Sequence, residues 1–106
     1  MSFIATANPP LAADDAQVNN EPWFPAVDAK RARDVCRLDG TVTPPRLAHA
    51  IEAAMDTVNA ELRDYQAAQQ QAGVARLQDA GDGRQLGRYL RAIYAHMQAD
   101  LAEAYR

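Results

Sequence analysis

The sequence predicts an all-α fold: a small three-helix domain, one short helix plus two long antiparallel helices, behind a flexible N-terminal arm. Three observations carry this. Leu47, Ile51, Met55, Val58, Leu62 and Tyr65 recur at spacings of four and three, the period of a helix with one buried stripe. Leu86, Leu90, Ile93, Met97, Leu101 and Ala104 form a second stripe with the same spacings. Asp28, Thr43 and Asp82, residue types that cap helix starts, each stand just ahead of a helical run.

Residues 1–22 hold Pro9, Pro10, Asn19, Asn20 and Pro22 with little periodicity, which predicts an arm outside the folded unit; residues 23–106 form the helical domain. Trp23, Phe24 and Pro25 mark the junction, where two large rings cover one end of a thin core. Asp28 caps a short helix over residues 29–38, with Ala32, Val35 and Cys36 as its apolar edge and Gly40 in the left-handed conformation that closes it. Thr43 caps the second helix. Pro44 and Pro45 follow in its first turn, where missing N–H groups cost nothing, and the helix reaches about Gln71 before stopping at Gly73. Val74 and Leu77 lie in a connector ending in the turn-rich run from Asp79 to Gly83. Asp82 with Gln85 has the form of a reciprocal cap, so the third helix starts near Gly83 and runs to the end, its stripe flanked by Tyr89, Tyr94 and Tyr105. Two long helices joined by a short polar linker should lie antiparallel, with the short helix across them. The helical pattern is still running at Arg106, which predicts a shortened chain or a helix that finishes in a partner.

Composition narrows the function classes. A net charge of −3 argues against a domain whose main task is gripping phosphate backbones. The single cysteine, Cys36, excludes an intrachain disulfide framework and suits a reducing compartment. The amino terminus lacks a basic start with a sustained apolar core, so no secretory signal is expected, and no run approaches the length of a membrane span. A cytoplasmic origin is expected.

Chemistry finds no purchase in the pattern. His49 and His96 sit on different helices without a second histidine or cysteine nearby, so each reads as a solvated or partly buried helix residue and no metal, cofactor or catalytic residue is expected. Cys36 has no activating base beside it and reads as a buried structural thiol. Glu52 and Asp56 share a helix face, as do Glu61 and Asp64; like charges at such spacing are ordinarily hydrated, although an acidic face can orient a basic neighbour. Lys30, Arg31, Arg33 and Arg37 make the first helix basic. Arg84, Arg88 and Arg91 share one stripe on the third and are candidate interface residues, against the simpler reading of a solvated face. A helix-turn-helix reader of DNA is disfavoured because the helix after Asp39 to Thr43 opens with two prolines and lacks base-reading side chains. A non-enzymatic assembly protein is therefore expected, the alternative being a helical adaptor or regulatory protein-binding module.

The segment FPAVDAKRARDVCRLDGTVTPPRLAHAIEAAMDTVNAEL, followed by QAGVARL and YLRAIYAHMQADLAEAYR, resembles the head completion (head stabilisation) proteins of P2-like tailed bacteriophages over about residues 20–106, with RLDGTVTPPRL and VNAEL as its most specific runs. The resemblance implies a structural protein of the virion neck that binds at the portal after DNA packaging, stabilises the filled head and offers a surface to tail or neck proteins. It implies a fold like the small helical head-tail connector proteins, which form rings of about twelve copies of themselves. Non-specific contact with packaged DNA is compatible with this, and no membrane is involved. Family members continue several dozen residues past the position of Arg106. Carried over by position, Phe24 and Pro25 match the aromatic-proline approach to the domain. Arg37, Leu38, Gly40, Thr41, Val42 and Thr43 match the hinge between the first two helices, which sets the interhelix angle.

Overall fold

The computed structural model describes residues 15–104. Residues 1–14 of the expected arm, and Tyr105 and Arg106, lie outside the described residues.

The arm's expected boundary is corrected. Residues 15–22 belong to the folded unit, because Gln17–Val18 (β1) pairs antiparallel with Val27–Asp28 (β2), Val18 facing Val27. Alternate side chains of a strand point to opposite faces, so both valines enter the core while Gln17 and Asp28 face water. The link between the strands folds back through a turn in which Phe24 N–H donates to the Glu21 carbonyl at 3.0 Å. That turn buries Trp23 and Phe24. Neither strand could be read from a period, since each is two residues long.

Helix α1 spans Ala29–Cys36. Asp28 caps it, accepting from the backbone N–H of Lys30 at 3.0 Å and of Arg31 at 3.2 Å. It ends earlier than the sequence suggests. Arg37, not Gly40, takes the left-handed conformation (φ 58°, ψ 44°), and Leu38 N–H returns to the Arg33 carbonyl at 3.0 Å. Gly40 instead occupies the tip of a tight turn whose frame is the Asp39 carboxylate, which accepts from Thr41 N–H at 2.9 Å and Thr41 Oγ1 at 2.6 Å. The apolar edge is also rotated from expectation: Ala29 and Ala32 are buried, Cys36 is half-buried, and Val35 is 52% exposed.

Helix α2 spans Pro44–Glu61. Thr43 holds the N-cap position without a side-chain hydrogen bond, and Pro44 and Pro45 lack two of the N–H groups that a helix start leaves unpartnered. Leu47, Ile51, Met55 and Val58 are buried as the stripe predicts, joined by Ala50 and Ala54. The expected single helix to Gln71 is interrupted at Leu62 (φ −97°, ψ 10°), whose N–H is shared between the carbonyls of Val58 and Asn59, both at 3.1 Å. Helix α3, Arg63–Gln71, resumes and buries no side chain of its own. The three-helix count thus becomes four α-helices among the described residues. Gly73 (φ 89°) ends α3 as its position suggests, with Val74 N–H returning to the Gln69 carbonyl at 2.9 Å.

The connector is stitched to the N-terminal segment. Trp23 Nε1 donates to the Val74 carbonyl at 3.0 Å, and Leu77 N–H donates to the Trp23 carbonyl at 2.9 Å. Leu77, in a short 3₁₀ turn over Leu77–Asp79, is buried. Helix α4, Gln85–Ala104, begins two residues later than expected. Asp82 accepts from Arg84 N–H at 3.1 Å, while the Gln85 amide lies over Gly81 and not back on Asp82.

Helices α2 and α4 form the centre of the core and run antiparallel: Pro45 to Ala50 lie beside Asp100 to Ala104, and Val58 to Tyr65 lie beside Gln85 to Ala92. Helix α1 packs on both. On α4 the buried set is Tyr89, Ile93, Met97 and Leu101. Leu86, expected in the stripe, is 38% exposed, and Ala104 is exposed. Tyr89, expected only as a flank, takes the interior place because Phe24 stacks on its ring at 5.4 Å.

Candidate functional site

Polar order inside this fold concentrates where the N-terminal segment crosses the α2–α4 pair. Asn59 is 1% exposed, the one buried polar residue among the described residues. Its Oδ1 accepts from the Tyr89 hydroxyl at 2.6 Å, and its Nδ2 donates to Asn20 Oδ1 at 2.9 Å. Asn20 Nδ2 in turn donates to the Tyr89 oxygen and to the Pro25 carbonyl, both at 2.8 Å. A closed triangle of Asn20, Asn59 and Tyr89 results, with each buried group partnered, as burial demands. Burial, with a smaller push from the Glu21 charge, raises the Tyr89 hydroxyl above its ordinary pKa, so it stays a neutral donor. Sequence reasoning missed this triangle. The signal was Asn59 itself, a polar residue between Met55 and Leu62 at the spacing of the buried stripe.

The triangle extends outward as an ion pair. Glu21 takes both Arg63 guanidinium nitrogens, at 2.8 and 3.0 Å, and that hydrogen bonding holds its carboxyl below the usual carboxylate range. A second clamp joins Asp15 to Arg33, with Nη2 to Oδ1 at 3.0 Å and a short Nε contact to Oδ2. Arg33 also donates to the Asp39 carbonyl at 2.7 Å, so one guanidinium ties the first strand segment to the α1–α2 loop.

The hinge residues singled out from sequence are distributed around that loop. Val42 is buried, Leu38 half-buried, and Arg37, Gly40, Thr41 and Thr43 are exposed. Leu38 and Val42 line two shallow clefts, one shared with Asp15 and Arg33 and the other with Gln98 and Leu101 of α4. Phe24 is in the core and Pro25 is half-buried, away from the hinge loop and joined to the polar triangle. Neither cleft gathers the convergent polar groups of a substrate pocket. Among the described residues no group of three His, Cys, Asp or Glu side chains is placed to hold a metal ion. His49 and His96 are exposed, and burial raises the pKa of the half-buried Cys36 thiol, away from a reactive thiolate.

Arg84, Arg88 and Arg91 are all exposed. Arg88 reaches Asp82 at 3.8 Å, and neither Arg84 nor Arg91 makes an ion pair among the described residues. No helix among those residues is long and apolar enough to cross a membrane.

Fold and surface together describe a small helical packing module whose charged helix faces point to solvent. The sequence matches the phage head completion protein family (GPL) over residues 18–106, and the chain belongs to that family. It is 38% identical over 104 residues to the head completion/stabilization protein of Escherichia phage P2, covering 92% of this chain and 62% of that relative. The chain therefore spans less than two thirds of the length of the curated relative it matches. No solved structure matches it. The family is a structural one of the phage head, not an enzyme class.

Proposed function

We propose that this chain completes and stabilises the DNA-filled phage head by binding at the portal, as a structural part of the head-tail connector. Membership of the head completion family over residues 18–106 carries the proposal. The fold supports it physically: its buried residues are committed to holding four helices and an N-terminal strap together, and among the described residues its charged side chains, apart from the Asp15–Arg33 pair, are exposed. Such a module acts by geometry. Contacts repeated around a symmetric vertex by about twelve copies turn weak individual affinities into a stable cap. Tail or neck proteins meet the face turned away from the portal, and the virion neck is the place of action. The hinge from Arg37 to Thr43 sets the angle between α1 and α2 and so the shape presented to those partners.

The test is retention of packaged DNA. Filled heads lacking their completion protein are incubated with the purified protein and then treated with nuclease, and co-sedimentation with purified portal is measured alongside. Protection of the DNA together with portal binding is the expected result. Heads that lose their DNA equally with and without the protein would reject the proposal in favour of a helical adaptor acting elsewhere.

A further inference from the structure

Two exposed helix faces of opposite charge lie on opposite sides of the α2–α4 pair. On α4 the buried residues Tyr89, Ile93, Met97 and Leu101 define the inward direction; Arg91, and Arg84 just ahead of the first turn, project away from it, while Arg88 lies on the flank, at the cleft shared with Glu61 and Leu62 of the α2 side. On α2 the inward direction is set by Leu47, Ile51, Met55 and Val58, and Glu52 and Asp56 project outward. Because α2 and α4 bury their inward faces against each other, the two outward faces point apart, and the basic one cannot neutralise the acidic one within a single copy. Among the described residues Glu52, Asp56, Arg84 and Arg91 make no ion pair. Arg88 makes only the long contact to Asp82, with both side chains about half exposed.

We infer that the arginine face of α4 in one copy docks on the Glu52–Asp56 face of α2 in the next copy. The match is one of sign: Arg84 and Arg91 present two positive charges and Glu52 and Asp56 two negative ones, all four exposed. Because the two patches point apart on one copy, the contact is head-to-tail and not a two-fold dimer, and it closes into a ring when the rotation from copy to copy divides a full turn. A second copy is favoured over DNA as the occupant because the chain carries a net charge of −3 and its acidic face would repel a phosphate backbone. The inference rests on the structural role proposed above and adds the identity of the contact that joins copies.

Charge exchange tests it with the full chain. R84E/R91E makes both faces acidic, and E52K/D56K makes both basic; all four positions are exposed, and circular dichroism checks the fold. Each variant alone should protect DNA in filled heads at least about tenfold less well than the parent, and their equimolar mixture, which alternates around the ring, should restore protection. The variant carrying all four changes should also restore it. Parent and variants that protect equally overturn the inference while leaving the proposed function standing. Failure of R84E/R91E that neither the mixture nor the fourfold variant repairs also overturns it, and loss of binding to a fluorescent DNA duplex in that variant would identify DNA as the occupant. If the parent itself protects no DNA, the proposed function fails separately. The contact is then judged by sedimentation at low salt, where association of the parent, its loss in each variant and its return in the mixture support the inference, and any other pattern overturns it.

Discussion

The Tyr89 hydroxyl donates to Asn59 Oδ1 at 2.6 Å, joining α4 to α2 inside the core, and Asn20 closes the triangle from the N-terminal strap. One buried polar residue therefore registers three segments that are distant in sequence. Apolar packing alone tolerates sliding of a helix pair, whereas a satisfied buried network permits one arrangement.

Asn59→Ala should lower stability by about 2 kcal/mol, since it leaves the buried Tyr89 hydroxyl without its acceptor and opens a gap in the core, while Asn20 Oδ1 keeps the Glu21 N–H at 2.8 Å. Urea unfolding measures this. Combined with Tyr89→Phe, the loss should fall short of the sum by about 1 kcal/mol, because both changes break the same bond.

Alkaline pH should act through Tyr89. Unfolded, its hydroxyl ionises near its ordinary pKa of about 10. Folded, it holds its proton to higher pH because burial opposes the phenolate. The folded state then binds more protons, so this contribution is complete below about pH 10 and is lost as pH rises through the elevated value. Tyr89→Phe, less stable at pH 7, should lose less stability than the parent between about pH 9 and 11.

Register on α4 separates two leucine-sized positions. Ile93→Ala should cost about 2–5 kcal/mol, since Ile93 is fully buried, while Leu86→Ala should cost under about 1 kcal/mol because Leu86 is partly in water. Thermal or urea midpoints of the two variants distinguish the observed register from the one the apolar spacing alone suggests.

Arg37 holds a left-handed backbone at φ 58°. Arg37→Gly should raise stability by about 0.5–1 kcal/mol by removing the Cβ strain at the end of α1. A lower urea midpoint would show that the Arg37 side chain contributes more than its backbone costs.

Asp15→Ala should cost about 1–3 kcal/mol. Asp15 is nearly buried and binds Arg33 through two nitrogens, although Arg33 keeps the Asp39 carbonyl as a second acceptor. Faster amide exchange at Val18 and Val27 would locate the loss in the β1–β2 pair.

The α2 stripe, the Asp28 cap, the Pro44–Pro45 start and the Gly73 stop were determined by sequence alone, because each depends on residues within one or two turns of each other. The family, too, was legible, since runs such as RLDGTVTPPRL are local strings. Tertiary structure decided the rest. It placed residues 15–22 in the fold, exposed Val35 and Leu86, brought Tyr89 inside and ended α1 at Arg37. The reason is common to all four: apolar spacing says that a helix has an inward face but not which partner covers it. Phe24 stacking on Tyr89, Asn20 reaching Asn59 and Asp15 clamping Arg33 are contacts between residues far apart in the chain, and only the packed fold brings them together.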